Sequence, residues 1–451
     1  MKLYALHLHN TAHFPKLVLN IPADCTVTVI SGAQSTGKTT ILKNLYHALT
    51  WFQGRYRDLK TAGVVMVAQD IRHQTLASQL RISVRISPEL HQFSQEISPE
   101  ERRPRIYTWQ LKKTQNPTTS ISTVETTQLE NLVKVYQRAI KHDPDYGLPL
   151  IAYYPAERFI NEVNLLSKNN PQVLQPMHAY DLASLPYTTF SRFFEWLREV
   201  HDVENAHSAA YLEHLSQIEL SDFQAQFQLQ PLRPHLTALR NSLNTVLPEV
   251  EDLILEYQPK IQLKVKVRGQ VLLYQQLSNS LKVWIALIGD VVRRLCVLNP
   301  EQLEPCLMGD GILMIDQIEQ QLDEAHCAEI LTRLEHAFPK LQIIVTTSQA
   351  ELLQQKSSYQ YLQLDALQLT PVASQAQILD EHYSQVYAHL LQDEELLEHP
   401  APFNDPADRY LELLTHIQND LSPEQQQQLL QELQNNLSPT QNLTQPNADL
   451  K

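Results

Sequence analysis

Glycine is scarce in this chain, with nine among 451 residues against 26 prolines. The few are clustered: Gly32 and Gly37 lie in one short loop, and Gly309 and Gly311 precede an apolar run, so backbone freedom is concentrated at one prospective site. Cysteine is also sparse. Cys25, Cys296, Cys306 and Cys327 show no C-x-x-C spacing, which argues against a zinc site or a disulfide framework and for reduced, cytosolic thiols. Basic charge is in deficit, with 36 Lys and Arg against 50 Asp and Glu and a net charge of −14. That balance disfavours a strongly basic nucleic-acid surface, while leaving room for a local basic patch or a basic protein partner. Long apolar runs are missing as well: the densest, Val283 to Gly289, is flanked by Lys282 and Asp290. The start, Met1-Lys2-Leu3-Tyr4, has no signal-peptide pattern, and a soluble cytoplasmic protein is expected.

What the chain does have is Gly32-Ala33-Gln34-Ser35-Thr36-Gly37-Lys38-Thr39, which fits G-x-x-x-x-G-K-[ST] at every fixed position. Thr26 to Ile30 reads as a strand leading in. Ile41, Leu42, Leu45, Ala48, Leu49 and Phe52 put an apolar stripe on a helix leading out, with Thr40 expected to start it. A triphosphate such as ATP carries several negative charges, so it needs backbone N–H groups and the positive end of a helix at close range. Small residues allow that approach. Lys38 is expected to reach the β and γ phosphates, and the Thr39 hydroxyl to hold Mg²⁺.

Length alone predicts two or three domains. Residues 2 to 21 read as two strands around Asn10 to Pro15, and Val64–Ala68, Leu80–Ile86, Ile106–Leu111 and Leu150–Tyr154 as further strands, with a helix over 124–141. From about 159 to 250 the pattern is helical, with stripes at Phe190, Phe193, Phe194, Leu197 and at Leu236, Leu239, Leu243, Val246, Leu247. Residues 261 to 268 alternate between apolar positions and Gln262, Lys264, Lys266 and Arg268, which predicts a hairpin turning at Gly269 with one wet, basic face. Leu277-Ser278-Asn279-Ser280 opens a long helix that ends at Asn299-Pro300. Gly311–Asp316 then reads as an apolar strand ending in a carboxylate, followed by a helix near 325–337 and the strand Ile343–Thr347. Alternation of this kind predicts an α/β fold with a parallel sheet and ligand sites at the carboxyl ends of its strands. Beyond Ala373 the chain is rich in Gln, Glu and Leu, with a capping box at Ser422-Pro423-Glu424-Gln425. The expected division is an N-terminal half of a head (1–158), an inserted helical lobe (159–255), the second half of the head (256–373), a small C-terminal helical domain (374–437) and a disordered tail (438–451).

Together, the loop, Leu150 to Arg158, Phe193 to Glu199, Leu277 to Pro300 and Gly311 to Thr347 resemble the RecF-like and OLD-like ABC ATPases. The likeness is greatest to the stand-alone ATPases of retron and Septu-type (PtuA-like) phage-defence systems. The resemblance covers nearly the whole chain. It implies a P-loop NTPase head of ABC type with a mixed, largely parallel sheet, flanking helices and an antiparallel subsheet. It also implies ATP sandwiched between two heads of a homodimer or heterodimer, each offering its signature helix, here with Ser278, across the interface. A separate effector protein, often a nuclease, and a role in sensing phage or DNA come with it.

The resemblance makes Asp316 the Mg²⁺-coordinating aspartate at the end of the Walker B strand. Three positions depart from the family pattern. Gln317 replaces a glutamate that polarises the attacking water, Ser348 stands for a switch histidine, and Ser280 for a signature glycine. An amide cannot take up the proton, and losing a general base costs on the order of 10²–10⁴ in rate. Glu319 is the nearby carboxylate. For Arg158 a structural pair with an acid of the helical lobe and a nucleotide contact are both open, and Gln69 is a candidate magnesium-sensing glutamine. The implied function is an ATP-binding head that hydrolyses ATP slowly or not at all and controls an effector. The alternatives are an active DNA-stimulated ATPase in DNA repair, the inert half of a heteromeric ATPase, or, remotely, the nucleotide subunit of a transporter.

Overall fold

The structure is a computed structural model that describes residues 1–94, 106–115, 120–160, 176–180, 190–215, 234–349, 356 and 358–373. The expected C-terminal domain and tail, residues 374–451, lie outside them.

The chain begins with the hairpin β1 (Lys2–Thr11) and β2 (Phe14–Asn20), then β3 (Val27–Ser31) and α1 (Lys38–Arg57). There follow β4 (Ala77–Arg85), α2 (Pro88–His91), β5 (Ile106–Gln115), β6 (Ser120–Glu125), α3 (Thr127–His142) and β7 (Leu150–Tyr154). Next come α4 (Ser191–Leu215), α5 (Pro234–Val246), β8 (Val250–Glu256), β9 (Gln262–Val267), β10 (Gln270–Leu273) and α6 (Asn279–Leu298). The last described elements are α7 (Pro305–Met308), β11 (Gly311–Ile315), α8 (Glu324–Ala337), β12 (Leu341–Thr347), β13 (Gln360–Asp365) and β14 (Gln368–Pro371).

Three sheets result. The central one has the order β14-β13-β3-β12-β11-β7 and is parallel except for the β13/β14 hairpin. β3, β11 and β12 are buried along their whole length, as strands covered on both faces must be, which is why they read as continuous apolar runs. The second sheet, β2-β1-β4-β5-β6, and the third, β10-β9-β8, are antiparallel. The fold is therefore the expected α/β head with a mixed, largely parallel sheet and an antiparallel subsheet. The central sheet draws β3 and β7 from before residue 158 and β11 to β14 from after residue 256.

The apolar stripes pack inward. Ile41, Leu42, Leu45, Ala48, Leu49 and Phe52 of α1 are all buried, and Trp109 of β5 donates its indole N–H to the Ala48 carbonyl at 3.0 Å. Phe193, Phe194 and Leu197 of α4 and Leu239, Leu243 and Val246 of α5 are buried too. Among the described residues no helix is long and apolar enough to cross a membrane.

Two expectations need correction. Val64–Ala68 is not a strand: it runs irregularly into a 3₁₀ turn at Ala68–Asp70. Its backbone is held over α1, with the Trp51 indole donating to the Val64 carbonyl and the Val64 N–H donating to Thr50 Oγ1, so it has no ladder to join. Gln69 thus sits exposed on that turn, not at a strand end. The hairpin turning at Gly269 forms as expected from β9 and β10, and two cations on its wet face are paired. Lys264 pairs with Glu256 at 2.7 Å and Lys266 with Glu251 at 2.6 Å, both acids supplied by β8. β8 itself forms at the end of the segment expected to be helical.

Candidate nucleotide site

Four neighbouring parallel strands end on one edge of the central sheet, and each delivers a residue group there. β3 leads into Gly32–Gly37, β12 into Ser348, β11 into Asp316–Glu319 and β7 into Pro155–Arg158. This is where parallel α/β sheets bind ligands, because helix N-termini and loops converge at the carboxyl ends of strands.

The loop bends through left-handed backbone at Ser35 (φ 62°) and Gly37 (φ 107°). At Gly37 a side chain is excluded twice over. The φ disfavours any Cβ, and a Cβ there would stand 2.0 Å from His13 Nε2 and 2.7 Å from the Phe14 ring. His13, in the β1/β2 turn, also lies 3.3 Å from the Thr36 carbonyl, so the antiparallel sheet braces the loop. At Gly32 a Cβ would come 2.7 Å from the Leu364 carbonyl. Thr36 Oγ1 closes the loop on the Ala33 carbonyl at 2.9 Å, while Ala33, Gln34 and Ser35 are exposed at its crown.

Gly37 is the N-cap of α1 and offers no side-chain cap, so the first helical N–H groups keep their donors for an anion. The helix starts at Lys38, two residues before the expected Thr40. Lys38 is buried, and its ammonium donates to the Gly32 carbonyl at 2.5 Å and the Ala33 carbonyl at 2.7 Å. Burial lowers its pKa, opposed by the charges of Glu319 and, after it, Asp316. Those two carboxylates thus lie within electrostatic reach of the loop lysine. Thr39, the next residue, is exposed in the first turn of α1.

Asp316 is fully buried at the end of β11. Its Oδ1 accepts from Thr346 Oγ1, its N–H donates to the Tyr154 carbonyl at 2.9 Å, and the Gln317 N–H donates to the same Thr346 Oγ1 at 2.9 Å. Its Oδ2 is buried with no hydrogen-bond donor among the described residues. A buried carboxylate oxygen at this depth fits a divalent cation such as Mg²⁺, with the Tyr153 hydroxyl as its neighbour in the protein. Burial, then Asp316, push the Tyr153 hydroxyl pKa up, so that phenol keeps its proton.

Arg158 is buried behind this turn. Its Nη1 donates to the Asp316 carbonyl at 2.6 Å and the Pro155 carbonyl at 3.2 Å, and its Nη2 to the Gln317 carbonyl at 3.0 Å. Burial pulls its pKa down to about 10 against the opposing charges of Asp316 and Glu319, so it stays cationic at neutral pH. Gln317 itself adopts a positive φ of 47°. Glu319 reaches Ser348: Oε1 accepts from both the Ser348 N–H and its hydroxyl, each at 2.8 Å. Ser278 caps α6, accepting from the Leu281 N–H at 3.2 Å, and the Ser280 hydroxyl donates to the Gln321 carbonyl. The start of α6 is thereby tied to the turn that follows β11.

Thr346, Tyr153 and His13 belong to this constellation and were not singled out from sequence. A polar pair, Thr346-Thr347, at the carboxyl end of an otherwise apolar buried strand is the signal that was there to read for the first.

A family model described as "AAA domain" matches residues 5–251. The chain is similar to the retron Vc95 probable ATPase of Vibrio cholerae serotype O1 biovar El Tor, 24% identical over 375 residues, covering 77% of this chain and 70% of that one. It is similar also to the retron Ec83 probable ATPase of Escherichia coli, at 25% identity over 387 residues, covering 76% and 67%. Among solved structures, the Smc head domain with an extended coiled coil bound to the C-terminal domain of ScpA, from Pyrococcus furiosus, aligns with a TM-score of 0.44 and 12% identity over 86% of this chain and 99% of that one. The relatives agree with the loop, its helix and the facing aspartate in the kind of protein they indicate, and the family match runs through more than half of the sequence: this chain belongs to the AAA domain family and is a P-loop ATPase related to those of retrons.

Proposed function

We propose that this chain is the ATP-binding head of an ABC-type ATPase that closes on a second head around ATP and Mg²⁺, turns ATP over slowly, and thereby controls a separate effector protein. The observation that supports it most is the joint placement of Lys38 and Asp316: a loop lysine within the field of a buried carboxylate at the end of the neighbouring sheet strands. Gly32 to Gly37 and the first turn of α1 would hold the phosphates, Lys38 would bridge the β and γ groups, and Thr39 with Asp316 would hold the metal. The metal supplies charge neutralisation on the phosphate oxygens. Slow turnover follows from Gln317, whose amide cannot accept the proton of the attacking water.

Ser278 and Ser280 at the start of α6 are the surface offered to the second head, in a homodimer or a heterodimer. The head is assembled from residues 1–158 and 256–373 with the lobe 159–255 inserted, consistent with a central sheet that takes strands from both halves. The retron names of the relatives are in keeping with a defence role with an effector, a nuclease being one chemical class. The pairing of Lys264 and Lys266 with Glu256 and Glu251 counts against the DNA-stimulated alternative, since those charges are already neutralised within the hairpin.

Titrating the purified full chain with a fluorescent ATP analogue and Mg²⁺ tests the reading. Saturable binding that Lys38→Ala abolishes, a shift to dimer mass with ATP in light scattering, and faster hydrolysis on Gln317→Glu are expected. ATP binding that is absent, or indifferent to Lys38→Ala, overturns it.

A further inference from the structure

The position expected to carry the catalytic glutamate holds Gln317, yet the same turn places another carboxylate at the site. Glu319 sits where the turn after β11 meets the end of β12, and its two oxygens differ. Oε1 is fixed by two donors of one residue, the N–H and hydroxyl of Ser348, at 2.8 Å each. Oε2 is buried with no hydrogen-bond partner among the described residues. β12 lies between β3 and β11, so Ser348 and the phosphate loop emerge from adjacent strands on the same edge. The charge of Glu319 is also the largest acting on Lys38 to oppose its desolvation, ahead of that of Asp316. In the nucleotide-binding reading Lys38 would reach the β and γ phosphates, which would put Glu319 on the side of the terminal phosphoryl group.

A carboxylate held through one oxygen, with the other unengaged, has the form of a general base. Ser348 provides the fixation. Without a second anchor a glutamate side chain samples several rotamers, whereas two donors on one oxygen restrict it to one orientation.

Resting on the nucleotide-binding reading above, we infer that Glu319 is the catalytic carboxylate of this head, positioned by Ser348 and standing in for the glutamate absent at position 317. In the step it performs, water oxygen forms a bond to the γ phosphorus as the bond from that phosphorus to the β–γ bridging oxygen breaks. The electron pair leaves with ADP, and the water proton passes to Glu319 Oε2. Ser348, which stands for a switch histidine, acts here as a positioning residue.

Single-turnover hydrolysis and equilibrium binding of the fluorescent ATP analogue, measured side by side on the full chain, separate the possibilities. Glu319→Gln is expected to lower the rate at least tenfold, within the 10²–10⁴ range typical of general-base loss, with Kd held within about twofold. Glu319→Asp keeps part of the rate, because the carboxylate remains though displaced. Ser348→Ala, which leaves the carboxylate but removes one of its donors, lowers the rate less than Glu319→Gln does. A Glu319→Gln rate within about twofold of the unmodified protein overturns the assignment, and so does ATP binding by the unmodified protein without measurable turnover. In both cases the binding head stands. Absent ATP binding instead overturns the reading beneath it. Should Glu319→Gln fail to fold, Ser348→Ala decides alone: an unchanged rate sinks the assignment.

Discussion

The guanidinium of Arg158 is fastened to the main chain of Asp316, 158 positions further along the sequence, with 2.6 Å between Nη1 and the Asp316 carbonyl. Its second nitrogen donates to the Gln317 carbonyl at 3.0 Å, so one planar fork fixes the turn that carries both Asp316 and Gln317. The sequence left open a pair with an acid of the helical lobe or a nucleotide contact; the structure shows instead a guanidinium holding main-chain carbonyls of this turn.

Arg158→Ala is therefore expected to destabilise the head and to displace Asp316. A buried hydrogen bond from a charged group contributes about 1.5–3 kcal/mol, and two strong ones are lost here, so denaturant unfolding should report a loss of at least about 2 kcal/mol. Arg158→Lys cannot reproduce the fork and should recover less than half of that loss. An unchanged unfolding midpoint in both variants would remove Arg158 from the site's support.

Gly37 offers a second test of the loop's geometry. Left-handed backbone costs a non-glycine residue roughly 1–2 kcal/mol, and a Cβ there also meets His13 Nε2 at 2.0 Å. Gly37→Ala should lose ATP binding and lower the melting temperature. Combining it with His13→Ala should restore part of the stability by relieving the contact, while the φ penalty persists. Strictly additive effects of the two substitutions would show that the two residues do not touch.

What could be read from the sequence, and what could not, follows from the range of the interactions. β3, the loop and α1 were legible because strand, motif and 3.6-residue period lie within about thirty consecutive residues. β11, β12 and α6 were legible because burial on all sides leaves uniformly apolar runs or an uninterrupted helical stripe. The same logic misread Val64–Ala68, whose valines look like a strand although Val65 and Val67 are 46% and 49% exposed. The N–H and carbonyl of Val64 are taken up by Thr50 and Trp51 of α1, a tertiary contact that no local pattern announces. The polar edge strand Ser120–Glu125 and the hairpin Gln360–Pro371 were missed because alternation is weak where one face is wet. In the site, Lys38 and Asp316 could be named from motifs. The brace of His13 on the loop and the tie from Glu319 to Ser348 join distant segments and needed the fold.

His326 gives the head a pH-sensitive contact at the start of α8. Its Nδ1 lies 2.6 Å from Asp323 Oδ1, its Nε2 3.2 Å from Glu249 Oε1, and its N–H is capped by Asp323 at 2.8 Å. Burial works to lower its pKa, but the hydrogen bonds and charges of Asp323 and Glu249 outweigh burial and leave it raised. The sign follows. A group whose folded pKa is raised binds its proton more tightly when folded, so its stabilisation is complete below the ordinary histidine pKa of about 6.5 and is lost as pH rises through the raised value. Asp323, held low first by the His326 N–H, loses its own share on the acid side. The stability difference between the unmodified protein and His326→Gln, taken from urea unfolding, should shrink as pH rises through that window. A difference that is flat or grows with pH contradicts the pairing.

Asp290 is a buried charge inside α6. Burial alone would raise its pKa, but Arg294 and Arg293 overcome that and hold the carboxyl well below its usual range. Arg293 Nε donates to Oδ1 at 2.9 Å, Arg294 Nε to Oδ2 at 2.8 Å, and the Tyr154 hydroxyl to Oδ2 at 2.9 Å. Tyr154 is the last residue of β7, and its carbonyl accepts from the Asp316 N–H, so this cluster supports the floor of the nucleotide site. Removing one member of a buried ion cluster leaves the others charged and unpaired, which costs about 3–5 kcal/mol. Asp290→Asn should therefore destabilise by roughly that amount. Because the folded pKa is depressed, the stabilisation from Asp290 is present above the ordinary aspartate pKa near 3.9 and is lost only as pH falls toward the depressed value. Guanidinium unfolding at neutral and at mildly acidic pH checks both statements: a small loss at neutral pH, or a loss that disappears already at pH 5, would mean that the arginines find other partners when Asp290 is neutral.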